Sequence, residues 1–149
     1  MTGRKAHSGK TAVFGVLLLL AAALWCVFRI AVKPNLGIPG ATNAERIAYI
    51  SSFGWETSPV PSNVEEIRIP ARFDEAYEQY NALQKEQGFD LKKYCAVDCQ
   101  RYTYKIRNYE GADPVVPINV NIIVANGKII AADISSAEAN GFVAALAKK

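Results

Sequence analysis

Histidine is almost missing from this chain: there is one, His7, in 149 residues. A body without imidazole, in a chain with three cysteines, rules out most histidine-based acid–base catalysis and zinc chemistry. Acidic residues are missing from the first 33 positions, where Arg4, Lys5, Lys10, Arg29 and Lys33 give +5 while the remainder carries −2, for a net +3. The basic balance belongs to the N-terminal segment and gives no reason to expect a nucleic-acid partner. Also lacking are G-x-S-x-G, S-x-x-K, H-E-x-x-H and a phosphate loop. No catalytic residue, no cofactor and no metal ligand is assigned, and the chain is read as a non-enzyme.

What the sequence does have is a run from Thr11 to Phe28 of 18 residues without charge. As a helix it spans roughly 27 Å, close to the hydrocarbon thickness of a bilayer. Trp25 and Phe28 suit an interface, and Arg29 can snorkel so that Ile30 and Val32 extend the stretch. The basic excess before the run orients the N-terminus inside. Ala21, Ala22 and Ala23 offer a signal-peptidase site, but hydrophobic residues continue through Phe28, which favours an uncleaved anchor. Cys26 follows Trp25, where a lipidation signal wants a small residue, and reads as an apolar residue of the membrane helix. The chain thus divides into a cytoplasmic basic tail (1–10), a single-pass transmembrane anchor (11–32), a Pro- and Gly-rich linker (33–41) and an extracytoplasmic domain (42–149) at the cell membrane.

In that domain Thr42 and Glu45 form a capping box opening a helix of about three turns with Ile47, Ile50 and Phe53 on one face, ended by Gly54 with Trp55 packing back. Val64 to Ile69 reads as an edge strand beside the Pro-rich Ser58–Ser62. Pro70 to Gln87 predicts a second helix, with Phe73, Tyr77, Tyr80 and Leu83 at helical spacing, Asp74 and Glu75 at its positive end and Gly88 closing it. Gln100 to Tyr109 alternates, with Tyr102, Tyr104 and Ile106 inward, and Ile118, Val120, Ile122 and Val124 alternate again. Asn126-Gly127 predicts a type I′ hairpin pairing Ala125 with Lys128, Val124 with Ile129 and Ile122 with Ala131. Glu138 to Lys149 predicts a short helix. The expected class is α+β: the transmembrane helix, then an antiparallel meander of three to four strands with two or three helices on one face.

The runs AERIAYISSFGWE (44–56), IRIPARFDEAYEQYNALQKEQGFDLKKY (67–94), RYTYKIRNY (101–109) and NVNIIVANGKIIAADISS (119–136), followed by Gly141 and Phe142, resemble the domain-of-unknown-function family 4830. That resemblance implies a small membrane-anchored protein of Clostridia-type Gram-positive bacteria and no assigned activity, so it transfers no functional residue. Cys95 and Cys99 depart from its pattern. The order of elements is also similar to PepSY-like and cystatin-like modules, an analogy of fold alone.

Four sets of residues remain as candidate sites. Cys95 and Cys99, with three residues between them, admit a small disulfide loop outside the cell or two free thiols; a redox pair would prefer CxxC at a helix start, and a metal site would need two more ligands. Ile123 and Ile130 fall on the face opposite the main core and present either a covered surface or an exposed patch for an envelope or membrane protein partner. Trp55, half-exposed as a helix-capping residue, is open to a ligand. Arg101, Lys105 and Arg107 line one strand face that could hold an anionic lipid or wall polymer, or simply be solvated. Glu65 with Glu66, and Asp74 with Glu75, read as solvated surface.

Overall fold

A computed structural model describes residues 37–111, 115–138 and 141–147 of the chain. The tail and anchor read at 1–32 lie outside the described residues, and among those described no helix is long and apolar enough to cross a membrane. The elements are α1 (Asn43–Ser51), β1 (Asn63–Arg68), α2 (Glu75–Glu86), a 3-10 turn (Leu91–Tyr94), β2 (Asp98–Lys105), β3 (Ile118–Ala125), β4 (Lys128–Ser136) and β5 (Val143–Ala144). The strands form one antiparallel sheet in chain order, five strands rather than three or four.

The helix ends follow from their caps. Thr42 accepts from the Glu45 amide at 3.2 Å while Glu45 accepts from the Thr42 amide at 2.9 Å, the reciprocal capping box expected of this pair. Gly54 and Gly88 take positive φ, +79° and +86°, just past the two helices. After α2 the Phe89 amide donates to Gln84 and the Gly88 amide to Lys85, the paired bonds of a Schellman stop. The second helix starts at Glu75, five residues later than Pro70, because the Asp74 carboxylate accepts from the Tyr77 amide and is the N-cap.

At the hairpin, Asn126 and Gly127 have φ of +49° and +72°. Ala125 pairs with Lys128 and Val124 with Ile129 as expected, but Ile122 pairs with Ala132, not Ala131. A β-bulge at Ile130 inserts one residue and shifts the register beyond it. Next to this hairpin, in the segment read as linker, the Ile129 amide donates to Ile38 and the Gly40 amide to Gly127. A Cβ on Gly40 would lie 2.6 Å from Ile129 Cγ1, so close backbone approach requires glycine there.

Both sheet faces are covered, which corrects the expectation of helices on one face. Tyr104, Val120, Ile122 and Ile134 share one face and pack with Ile50 of α1, Trp55, Phe89 and Leu146. Ile123, Ala125, Ile130 and Ala131 lie in a second cluster with Ile69, Leu91 and Cys99, against which Phe73 and the α2 side chains Tyr77 and Tyr80 pack. Each large apolar side chain withdrawn from water contributes on the order of 2 kcal/mol, so splitting the core across two faces still leaves both layers held. Arg46 of α1 is buried, its Nε donating to the Tyr104 hydroxyl at 2.8 Å and one terminal nitrogen to the carbonyls of Gly40 and Ala41, with its guanidinium 3.6 Å from the Tyr102 ring centroid. Carbonyl dipoles and a ring face take the place of a carboxylate partner.

The C-terminal helix expected over 138–149 is instead the strand β5 within the described residues. The Ser136 amide donates to Phe142 and the Gly141 amide to Glu138, a turn that lays Val143 beside Ser135.

Candidate functional site

A cleft of about 520 Å³ opens where three connections meet the end of the sheet. Trp55 follows α1, Asn108, Tyr109 and Glu110 follow β2, and Phe142 precedes β5; Leu83 and Glu86 of α2 and Ile134 of β4 complete much of the lining. The volume falls in the range of ligand-sized pockets.

The cleft is organised by a ladder of rings. Trp55 stacks on Tyr109 with centroids 5.7 Å apart and planes 10° from parallel, and Tyr109 stacks on Phe142 at 5.8 Å and 28°. The indole is fixed at its polar end, where Nε1 donates to the Leu146 carbonyl at 2.7 Å. Asn108 ties the connection down by donating to the Gly54 carbonyl and accepting from the Glu56 amide, both at 2.9 Å. Exposure rises along the ladder from Trp55, 7% exposed, to Phe142 at 39%. Trp55 is therefore buried rather than half-exposed, and the solvent-facing end of the stack is Phe142, a residue whose sequence context predicts a helix.

The other sequence candidates lie elsewhere. Ile123 and Ile130 are 3% and 1% exposed in the second core, so they form no surface patch; Tyr77 and Tyr80 cover that side. Arg101 pairs with Glu65 across β1 and β2, and Arg68 pairs with Asp98 at 2.8 Å. Lys105 is exposed at the end of β2, and Arg107, beyond it, is exposed with its amide donating to the Glu56 carbonyl. The three cations therefore do not act as one undivided basic face. Cys95 and Cys99 are free thiols rather than a disulfide: Cys95 is exposed after the 3-10 turn, while strand alternation turns Cys99 into the second core, where burial raises its pKa. A second hollow of about 550 Å³ beside the hairpin tip includes Cys99 and the Arg68–Asp98 pair.

Sequence reasoning missed a polar cluster on the second face. Asp133 is 5% exposed, accepts from the Tyr80 hydroxyl at 2.7 Å and from Asn121 at 2.8 Å, and Asn121 in turn accepts from Thr103 at 2.8 Å. Burial pushes the Asp133 carboxyl above its ordinary range, against the Asn121 and Tyr80 hydrogen bonds that lower it; burial likewise raises the Tyr80 hydroxyl well above its own. The alternation of β3 and β4 puts Asn121 and Asp133 directly opposite each other, a clue that needed the register to be known. The cluster is closed by its own hydrogen bonds and reads as a clamp of α2 on the sheet. Among the described residues no group of three His, Cys, Asp or Glu is placed to hold a metal.

The fold and cleft define a small α+β domain, a five-stranded meander between two helical layers. The family model for Domain of unknown function (DUF4830) matches residues 49–134, more than half of the chain, and the chain belongs to that family. No curated protein and no solved structure matches it. The match runs from α1 to β4 and includes most of the cleft, from Trp55 to Ile134, but stops before Phe142.

Proposed function

We propose that this chain is a membrane-tethered extracytoplasmic binding module, without catalytic activity of its own, that engages a protein partner through the aromatic cleft. The observation that carries the reading is the Trp55–Tyr109–Phe142 ladder, exposed at one end in a ligand-sized cleft. Aromatic side chains offer large contact area with few rotors to immobilise, which is why they dominate binding surfaces. The lining offers ring faces, aliphatic groups, one amide and two carboxylates, and no hydroxyl or thiol nucleophile apart from the Tyr109 phenol. Tethering rests on the uncharged run from Thr11 to Phe28 with its basic flank. The alternative, an anionic lipid or wall polymer held by Arg101, Lys105 and Arg107, loses support because Glu65 already neutralises Arg101.

A photo-crosslinking side chain placed at position 147, an exposed alanine of the cleft lining, in the full-length protein in its native membrane, tests the cleft. The expected adduct forms from position 147, fails from position 66 on the far edge strand, and falls severalfold in Phe142→Ala. Adducts from position 66 alone, or an adduct indifferent to Phe142→Ala, would contradict the assignment.

A further inference from the structure

The cleft is selective in charge. Of its lining side chains only Glu86 and Glu110 carry charge; both are exposed carboxylates, and neither joins an ion pair among the described residues. Three other carboxylates of the described surface, Glu65, Glu78 and Asp98, each hold a cation. Two carboxylates without an ion pair among the described residues share the cleft with Phe142, the exposed end of the ring stack, and a ring's negative face and a carboxylate both favour an organic cation.

The cleft also borders a strand that lacks a neighbour. β5 is the last strand of the sheet, only Val143 and Ala144 long, and pairs with β4 on one side alone among the described residues. Val143 is 55% exposed and lies next to the exposed Phe142. An edge backbone with apolar side chains at its end is a surface to which an extended chain can add.

Resting on the reading of the cleft as a binding site, we propose that its occupant is an extended basic segment of a partner protein, whose lysine or arginine side chain lies on the ring ladder between Glu86 and Glu110 while its backbone runs along β5. Charge complementarity selects the cation, and the open strand edge selects a peptide over a free amine.

The test is titration of the full-length protein in detergent micelles with a fluorescein-labelled, end-blocked pentapeptide, Thr-Val-Lys-Val-Thr, and with its Gln and Glu counterparts. The Lys peptide is expected to bind at least about tenfold more tightly than the Gln peptide, with the Glu peptide weakest, and to weaken as salt is raised. Glu86→Gln with Glu110→Gln, both at exposed positions and checked for an unchanged melting temperature, should level the three peptides. Equal binding of the Lys and Gln peptides, or a preference that survives the double variant, would overturn the proposal. Affinity for n-butylammonium equal to that for the Lys peptide would overturn the assignment to a peptide segment. Failure here alongside a crosslink from position 147 removes the basic-segment proposal alone, whereas loss of that crosslink removes the cleft itself.

Discussion

Asp133 is buried without a cation bonded to it, so its proton equilibrium is tied to folding. A carboxyl whose pKa is raised in the folded state stabilises the fold fully below its ordinary value of 3.8 and loses that contribution as pH rises through the raised value. Above that ordinary value folding therefore works against a charge that burial disfavours, with Tyr80 and Asn121 donating to the carboxyl group. Asp133→Asn keeps an acceptor for Asn121 and removes that charge. Thermal melts should show the variant gaining on the parent at pH 7 and the gain shrinking as pH falls toward 4; a difference independent of pH would contradict this account. Glu45 works in the opposite sense: the Thr42 amide holds its pKa down, so its contribution is present above 4.5 and lost on acidification, equally in parent and variant. Comparison of the two proteins thus isolates Asp133.

At the scale of elements, the join between α2 and the sheet is polar where a hydrophobic stripe would be expected. Gln84 is fully buried; its amide donates to the Ala132 carbonyl and accepts from the Ala132 amide, both at 3.0 Å, as a neighbouring strand would. Gln87 donates to the same carbonyl at 2.9 Å and accepts from the Leu146 amide at 3.0 Å. Two glutamines one turn apart thereby close the part of the β4 edge that the short β5 leaves open. Gln84→Ala orphans a buried donor and weakens the satisfaction of a buried acceptor, at a cost of about 2–4 kcal/mol. Hydrogen exchange at the Ala132 amide should quicken with little change at Ile122; unchanged exchange at Ala132 would refute the role given to Gln84.

The same joins separate what the sequence makes legible from what it hides. Caps and turns were legible at Thr42, Asp74, Gly54, Gly88 and Asn126-Gly127, because each is decided by residues three or four apart. Arg46, Asn81 and Gln84 were not. The first and last meet partners 58 and 48 residues away, and nothing local distinguishes them from solvated polar residues. Asn81 is 1% exposed because it accepts from the Leu91 amide and thereby seats the 3-10 turn, which was not foreseen. The bulge at Ile130 was hidden because Ile129 and Ile130, then Ala131 and Ala132, satisfy either register. The run from Gly141 to Leu146 reads as helix on its alanines, yet Ser136 and Ile134 recruit it as an edge strand. Of the cleft, only Trp55 was legible, since Tyr109, Phe142 and Glu86 come together through the fold.

At the scale of the whole molecule, the proposed reading is a membrane tether at residues 11–32 and a domain with a cleft at one end of its sheet. On that reading the exposed Cys95 reports which side of the membrane the domain occupies. A membrane-impermeant maleimide should label intact cells and fail on Cys95→Ser; labelling only after lysis would place the domain inside. The claim that matters most is that the cleft is covered in the native membrane. Backbone hydrogen exchange, read by mass spectrometry on the full-length protein in native membranes and again after purification in detergent, tests it directly. Protection in membranes is expected over residues 108–111 and 141–147 and is lost on purification. Protection confined to the β1 edge at residues 63–68, or equal exchange of the cleft in both states, would contradict it.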